Sequence, residues 1–188
     1  IWLNFYKFLL SNVENVYYKK FSKIVCVSNI DQKYLTNKLK LKTIITIGIP
    51  IAKSLKEKKI KHNKNIVKNK TKTKLLITGN LNHPIISKNI ASFLKNIFPK
   101  VLEKYPDLKT IILGKNPTNF LKNEIHKSLN VKHVDFVQDY FDFLDNDWIY
   151  IYPQKCATGL QTKLQQALAS GLPVIAYEVA FGGLNLTY

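Results

Sequence analysis

The sequence predicts an α/β fold: a doubly wound parallel sheet preceded by a partial second α/β domain. Three observations carry this expectation. Apolar runs of four or five residues alternate with longer stretches whose apolar residues recur at helical spacing. The loops after several of these runs hold Gly, Asn or Pro, which turn a strand towards a helix. A lysine-rich stretch without a sustained apolar period, residues 52–74, divides the patterned sequence in two. Strand–helix alternation of this kind favours a parallel sheet, because the crossover helix returns the chain to start the next strand in the same direction.

In chain order, Leu3, Tyr6, Leu10, Val13, Tyr17 and Phe21 recur every three or four residues, so residues 2–21 are expected to form an amphipathic helix. Its apolar residues, among them Trp2, Phe5, Phe8 and Leu9, are expected to pack inside their own domain; contact with lipid is the alternative. Ile24-Val25-Cys26-Val27 reads as a short buried strand. Ser28, with Asp31 three residues on, has the form of an N-cap box that opens a helix through Leu39. A strand at 43–47 is closed by Gly48 and Pro50. This αβαβ stretch is too little for a whole domain. Residues 1–51 are therefore expected to be the end of one domain, 52–74 a linker, and 75–188 a second domain, incomplete at its C-terminus.

Past the linker, strands are expected at 75–78, 110–113, 131–134, 148–152 and 173–177. Ile90, Phe93, Leu94, Ile97, Val101 and Leu102 make one helical stripe, interrupted by Pro99. Phe120, Leu121, Glu124, Ile125 and Leu129 suggest another helix, starting near Thr118 or Asn119. A turn of helix fits 140–144. Leu160, Leu164, Ala167 and Leu168 define the last, stopped by Gly171 and Pro173.

The net charge is +17, carried by 29 lysines with no arginine or methionine. Residues 53–74 hold ten lysines against Glu57, and residues 1–52 eight against Glu14 and Asp31, whereas 75–188 balance eleven with nine acids. Arginine is the usual bidentate reader of guanine and phosphate, so its absence argues against a nucleic-acid partner. Lysine clusters suit an anionic membrane surface better. No apolar run reaches the ~20 residues of a membrane span. No signal-peptide pattern opens the chain. Cys26 and Cys156 form no disulfide framework or metal motif, and a cytoplasmic location, peripheral on the inner membrane face, is the expectation. A chain that starts at Ile1 without any methionine is expected to be a fragment.

In open α/β sheets ligands collect beyond the carboxyl ends of the strands. Three loops are expected there: Gly79-Asn80-Leu81-Asn82-His83-Pro84, Gly114-Lys115-Asn116-Pro117 and Gln154-Lys155-Cys156-Ala157-Thr158-Gly159. None carries a dinucleotide fingerprint or a P-loop. Gly114 is equally well read as a tight-turn residue. His83 is a candidate contact in the first loop, but His62, His83, His126 and His133 share no ligand spacing. Cys156 has no base at hand and reads as an inert small residue. Asp145-Asn146-Asp147 matches a D-x-D metal motif, yet it precedes a strand, on the wrong edge of the sheet for a ligand site.

The most informative stretch runs from Thr158-Gly159-Leu160-Gln161-Thr162-Lys163 through Gln166-Ala167-Leu168-Ala169-Ser170-Gly171-Leu172-Pro173-Val174. It resembles the donor-site helix of family 4 (group 1) glycosyltransferases of GT-B architecture, G-[IV]-x-x-K-x-x-E-A-x-A-x-G-x-P-V. Residues 75–79 with Lys88-Asn89, Phe98-Pro99, Tyr105-Pro106, Ile112-Leu113-Gly114 and 134–139 are similar, in order, to further parts of that Rossmann-like half. Residues 21–28 and 45–49 are similar to the end of its partner domain. The resemblance implies a nucleotide-sugar donor bound by Gly79, Asn80, Lys88, Gly159, Leu160, Lys163 and Gln166. The N–H groups of Gly159 and Leu160 would meet the phosphates, and Lys163 and Lys88 would supply charge. It implies no metal and no cofactor, and a glycan or lipid-linked acceptor. Gln166 stands where the family has a ribose-binding glutamate, and Thr158 where a second glutamate faces the sugar. Thr158 with Gln161 is alternatively an N-cap box, and Lys163 and Gln166 are alternatively solvent-facing helix residues. The function implied is transfer of a hexosyl group, metal-independent and retaining, in polysaccharide biosynthesis. The catalytic base is not identified, and the chain alone is expected to be inactive. The alternative is a non-catalytic nucleotide- or membrane-associated module derived from this fold.

Overall fold

The computed structural model describes residues 2–40, 43–50, 74–144, 148–157 and 159–184. The linker expected at 52–74 lies outside the described residues except for Lys74, which opens a strand; the Asp145-Asn146-Asp147 motif also lies outside them. The chain divides into two units, Ile1–Pro50 with Thr158–Leu160 and Gly182–Tyr188, and Ile51–Ala157 with Gln161–Phe181.

The first unit contains α1 (Trp2–Tyr17), β1 (Ile24–Cys26), α2 (Asn29–Leu39) and β2 (Ile44–Thr46). β1 and β2 pair in parallel, Ile24 opposite Ile44, with α2 as the crossover. Ser28 caps α2 as expected, its Oγ accepting from the Asp31 N–H at 3.2 Å and donating to the Asp31 carboxylate at 2.7 Å. Gln32 then locks α2 to β2: its amide donates to the Ile44 carbonyl at 2.8 Å and accepts from Thr46 Oγ1 at 2.9 Å. Cys26, Leu39 and Ile44 are buried in this small core.

The expected inward packing of α1 is not observed. Tyr6, Leu10, Val13 and Tyr17 are all largely exposed, Leu10 to 60%. Two three-residue strands and one helix offer too little apolar surface to cover a 16-residue helix. An ion pair between Lys38 and Glu14 links α1 to α2.

The second unit is built on β3 (Lys74–Thr78), β4 (Lys109–Leu113), β5 (Val131–Val134), β6 (Trp148–Tyr152) and β7 (Val174–Ala176). They form a parallel five-stranded sheet in the order β5-β4-β3-β6-β7. The chain steps outward from β3 to β5, then crosses back to β6 and steps outward to β7. The direction of winding therefore reverses between β3 and β6, where the first strand of each half lies side by side. Such a switch point opens a crevice beyond the carboxyl ends of the two strands.

The helices are α3 (Pro84–Asn96), α4 (Phe98–Lys104), α5 (Asn119–Lys127), α6 (Tyr140–Phe143) and α7 (Thr162–Ala169). Ile90, Phe93 and Leu94 of α3 face Leu75 and Ile77 of β3 and Leu121 and Ile125 of α5 in one buried core. Three expectations are corrected. The Pro99 stripe breaks at Ile97, and Pro99 sits in the first turn of α4, where its missing N–H costs nothing. Leu129 is 76% exposed beyond the end of α5, because Ser128 turns the chain into extended backbone. Leu160 precedes α7, which starts at Thr162 with Gln161 as its N-cap residue; Thr158, and with it the alternative cap box, lies outside the described residues. No helix among the described residues is long and apolar enough to cross a membrane.

Candidate functional site

Each of the three loops expected at the carboxyl edge follows a strand and leads to a helix: β3 to α3, β4 to α5, and β6 to α7. Hydrogen bonds brace the first two against each other. The Gly79 N–H donates to the Leu113 carbonyl at 3.1 Å, and the Thr118 N–H donates to the Leu81 carbonyl at 3.2 Å. Gly114 has φ +158, and a Cβ there would meet the Gly79 carbonyl oxygen at 2.2 Å and Leu81 Cγ at 2.8 Å. Its role as a packing glycine is thereby explained without a ligand. Leu81 is wholly buried between the loops, leaving Asn80, Asn82 and His83 exposed at the rim.

Across the switch point, Asn89 Nδ2 on α3 donates to Gln154 Oε1 after β6 at 2.9 Å. Lys88, one residue earlier, is exposed. The end of β3 is also joined to the middle of β6. Thr78 Oγ1 shares hydrogen bonds with Tyr150 Oη at 2.7 Å and with Tyr140 Oη on α6 at 3.2 Å. Burial raises the pKa of the Tyr140 and Tyr152 phenols and pushes that of Tyr150 well above the ordinary value, so these rings act as neutral hydrogen-bonding groups.

Lys163 is the second residue of α7, and its Nζ sits 4.7 Å from the centre of the Tyr140 ring. Part of the side chain is exposed, yet enough is withdrawn from water to lower its pKa. The first N–H groups of an α-helix lack carbonyl partners one turn back, so the start of α7 and the Lys163 ammonium together favour an anion. Gln166 stands one turn further, half-buried. Gly159, with φ +61, and Leu160 lie in the loop that leads into α7.

The fold thus puts Gly79, Asn80 and Lys88 on one side of the switch point and Lys163 and Gln166 on the helix that follows β6. Three participants carry no functional signal in the sequence: Tyr140 falls in an expected helical turn, Tyr150 in an expected strand and Gln154 in an expected loop. His133 is not a ligand candidate: its Nε2 is 2.8 Å from the Gly114 carbonyl oxygen. Among the described residues no three His, Cys, Asp or Glu side chains gather as a metal site. A cavity of about 750 Å³ in this unit lies elsewhere, lined by Phe93, Val101, Tyr105, Ile149 and Ile175 among others, and includes no residue of the three loops.

The profile of the family described as "Glycosyl transferases group 1" matches residues 72–186, well over half the chain. The chain belongs to this family. The Methanocaldococcus jannaschii protein "Uncharacterized glycosyltransferase MJ1059" is 33% identical over 94 residues, which cover 48% of this chain and 23% of that protein. Among solved structures, a glycosyltransferase from Rickettsia africae ESF-5 superposes with a TM-score of 0.68 at 17% identity, over 94% of this chain and 50% of its own. Anabaena Alr3699/HepE, crystallised with UDP and glucose, gives a TM-score of 0.62 at 14% identity, over 96% and 50%. The chain therefore spans about half the length of these solved relatives and about a quarter of the archaeal one. At these identities the structural likeness shows the fold, that of GT-B glycosyltransferases, and the family profile shows the membership.

Proposed function

We propose that residues 75–188 are the nucleotide-sugar-binding half of a GT-B glycosyltransferase and residues 1–51 the end of its acceptor-side domain. The observation that supports this reading is Lys163 at the start of α7, beside the crevice between β3 and β6, on a helix whose sequence resembles the family's donor motif. Gly159 and Leu160 would present N–H groups to the donor phosphates, with Lys163 and Lys88 as cations and Gln166 towards the ribose. Gly79 and Asn80 would line the opposite loop.

In the transfer the acceptor oxygen bonds to the anomeric carbon while the bond from that carbon to the diphosphate oxygen breaks. The departing nucleoside diphosphate takes the electron pair, and the acceptor proton goes to a base or to the leaving oxygen. Amides and ammonium groups aimed at the diphosphate stabilise charge that grows as the bond breaks, work that a metal ion does elsewhere. This reading takes the reaction as metal-independent, retaining and hexosyl-transferring, with a glycan or lipid-linked acceptor. It takes the location as the cytoplasmic face of a membrane, where lysine-rich segments meet anionic lipid. Relatives of this fold crystallised with UDP make that nucleotide the first probe.

Calorimetric titration with UDP, ADP and GDP tests the donor site. Binding of one of them, weakened at least tenfold by Lys163→Ala, is the expected result; silence towards all three overturns it. Sugar transfer by the 188-residue chain alone would overturn the view that the acceptor-side machinery lies outside it. One observation favours a second reading, a non-catalytic nucleotide- or membrane-associated module: Gln166 lacks the charge of the glutamate found there in the family motif.

A further inference from the structure

We propose that Tyr140 is a positioning residue for Lys163: its ring, anchored through its hydroxyl to Thr78, holds the ammonium at the mouth of α7. The inference rests on the donor-site reading above and assigns a role to a residue outside the family motif.

The geometry is a relay of three contacts. Thr78 ends β3 and is 3% exposed, so its hydroxyl is a fixed point of the sheet. Tyr140 reaches that hydroxyl at 3.2 Å from α6, while Tyr150 reaches it at 2.7 Å from β6. The Tyr140 ring is thereby oriented from the rigid end of the sheet rather than from its own four-residue helix. Its face then carries the Lys163 Nζ at 4.7 Å from the centroid, a cation–π distance.

A lysine near the start of a helix has a reason to need such a clamp. Its four-carbon stem ends in a strongly hydrated point charge that samples many rotamers, and nothing in the local sequence of α7 selects one. The first-turn N–H groups of the helix also repel a cation, since the helix dipole favours negative charge there. An aromatic face offers attraction without competing as an anion, so the ammonium is held near the helix mouth and still open to a phosphate. Withdrawal from water, which lowers the Lys163 pKa, fits a cation whose charge is best satisfied when the diphosphate arrives. A carboxylate in place of the ring would hold the ammonium more firmly and neutralise it.

The test is a double-mutant cycle read by UDP titration on the 188-residue chain. Tyr140→Leu is expected to weaken binding about fivefold to tenfold, Tyr140→Phe about twofold, and Tyr140→Leu to add nothing in a Lys163→Ala background. Replacement of Tyr140 by phenylalanines of increasing fluorination keeps the shape while draining the ring face, and should weaken UDP binding in steps; this series serves even if the leucine variant folds poorly. Binding that Lys163→Ala abolishes but the fluorinated series leaves constant overturns the positioning role alone. A further loss from Tyr140→Leu in the Lys163→Ala background also overturns it, because Tyr140 would then touch the nucleotide itself. Failure of the unsubstituted chain to bind UDP, ADP or GDP overturns the donor site, and the positioning role with it.

Discussion

Asn89 and Gln154 are 65 positions apart in the chain, yet the Asn89 amide donates to the Gln154 carbonyl oxygen at 2.9 Å. One belongs to the helix after β3, the other to the loop after β6, so the bond spans the point where the sheet reverses its winding. Gln154 is 5% exposed, which makes this a structural bond as well as a loop tie. Both loops lie at the carboxyl edge of the sheet beside this switch point, so their relative placement sets the shape of any crevice there. In this chain two side-chain amides fix that placement.

Asn89→Leu should therefore destabilise the second unit by about 1–2 kcal/mol, the cost of leaving a buried amide oxygen without its donor. The melting temperature should fall by a few degrees, with the variant's far-ultraviolet circular dichroism unchanged at 20 °C. A melting temperature equal to that of the unsubstituted chain would mean that Gln154 finds an equal partner and that the tie is dispensable.

Gly114→Ala is expected to be worse. The new methyl would stand 2.2 Å from the carbonyl oxygen of Gly79, a residue whose N–H is held by the Leu113 carbonyl at 3.1 Å. Relief requires the two strands to part at their carboxyl ends, so a loss of ~3 kcal/mol or more follows, in the range of overpacked cores. Urea denaturation measures it. A loss below ~1 kcal/mol would show that the two loops shift easily.

Most strands of this fold were legible because a strand buried on both faces is a contiguous apolar run, and runs such as Leu75-Leu76-Ile77 have no competing helical period. The Ser28 cap was legible for the same local reason: its partner is three residues away. The errors arose where tertiary packing or chain reversal overrode a period. Leu129 and Leu160 sit at helical spacing from their neighbours but lie outside the helices, one after the turn at Ser128 and one before the cap at Gln161. At the site, Lys163 and Gln166 were legible as parts of a motif. The Thr78–Tyr140–Lys163 relay was not, because its members come from a strand, a four-residue helix and an eight-residue helix that share no local pattern. Aromatic residues at 140, 150 and 152 look like ordinary apolar content until burial and a shared hydroxyl tie two of them to Thr78.

That buried phenol cluster has a consequence at alkaline pH. Burial raises the pKa values of Tyr140, Tyr150 and Tyr152 above the ordinary 10.0, so the folded state holds these protons after the unfolded chain has lost them. Their contribution is fully present below pH 10 and is lost as pH rises through the folded values. Lys163 opposes this weakly, since its lowered pKa makes stability rise with pH up to the unfolded value of 10.5. The net expectation is a stability that falls above pH 10, and falls less steeply in Tyr150→Phe, the variant lacking the most shifted phenol. Guanidinium denaturation between pH 9 and 11.5 reads the two slopes; equal slopes would refute the role of Tyr150. At neutral pH the same variant should lose ~1 kcal/mol with its hydrogen bond to Thr78.

Gln166→Glu separates a working donor site from a decayed one. Gln166 is the fifth residue of α7, half-buried, with its backbone carbonyl accepting from the Ser170 N–H at 2.9 Å. Gln and Glu have nearly equal helix propensity, so the helix itself should not distinguish them. A carboxylate directed at ribose hydroxyls accepts stronger hydrogen bonds than an amide oxygen does, which should tighten nucleoside-diphosphate binding by ~1 kcal/mol, about fivefold. If the side chain faces the crevice, the cost to folding should stay within ~0.5 kcal/mol. A carboxylate forced against apolar neighbours would instead lower the melting temperature clearly, because burial penalises the charged form. Melting temperature and UDP affinity, measured on one variant, resolve the cases. Tighter binding at an unchanged melting temperature supports the ribose contact. An unchanged melting temperature with unchanged affinity would remove Gln166 from the donor site and strengthen the reading of this chain as a non-catalytic module.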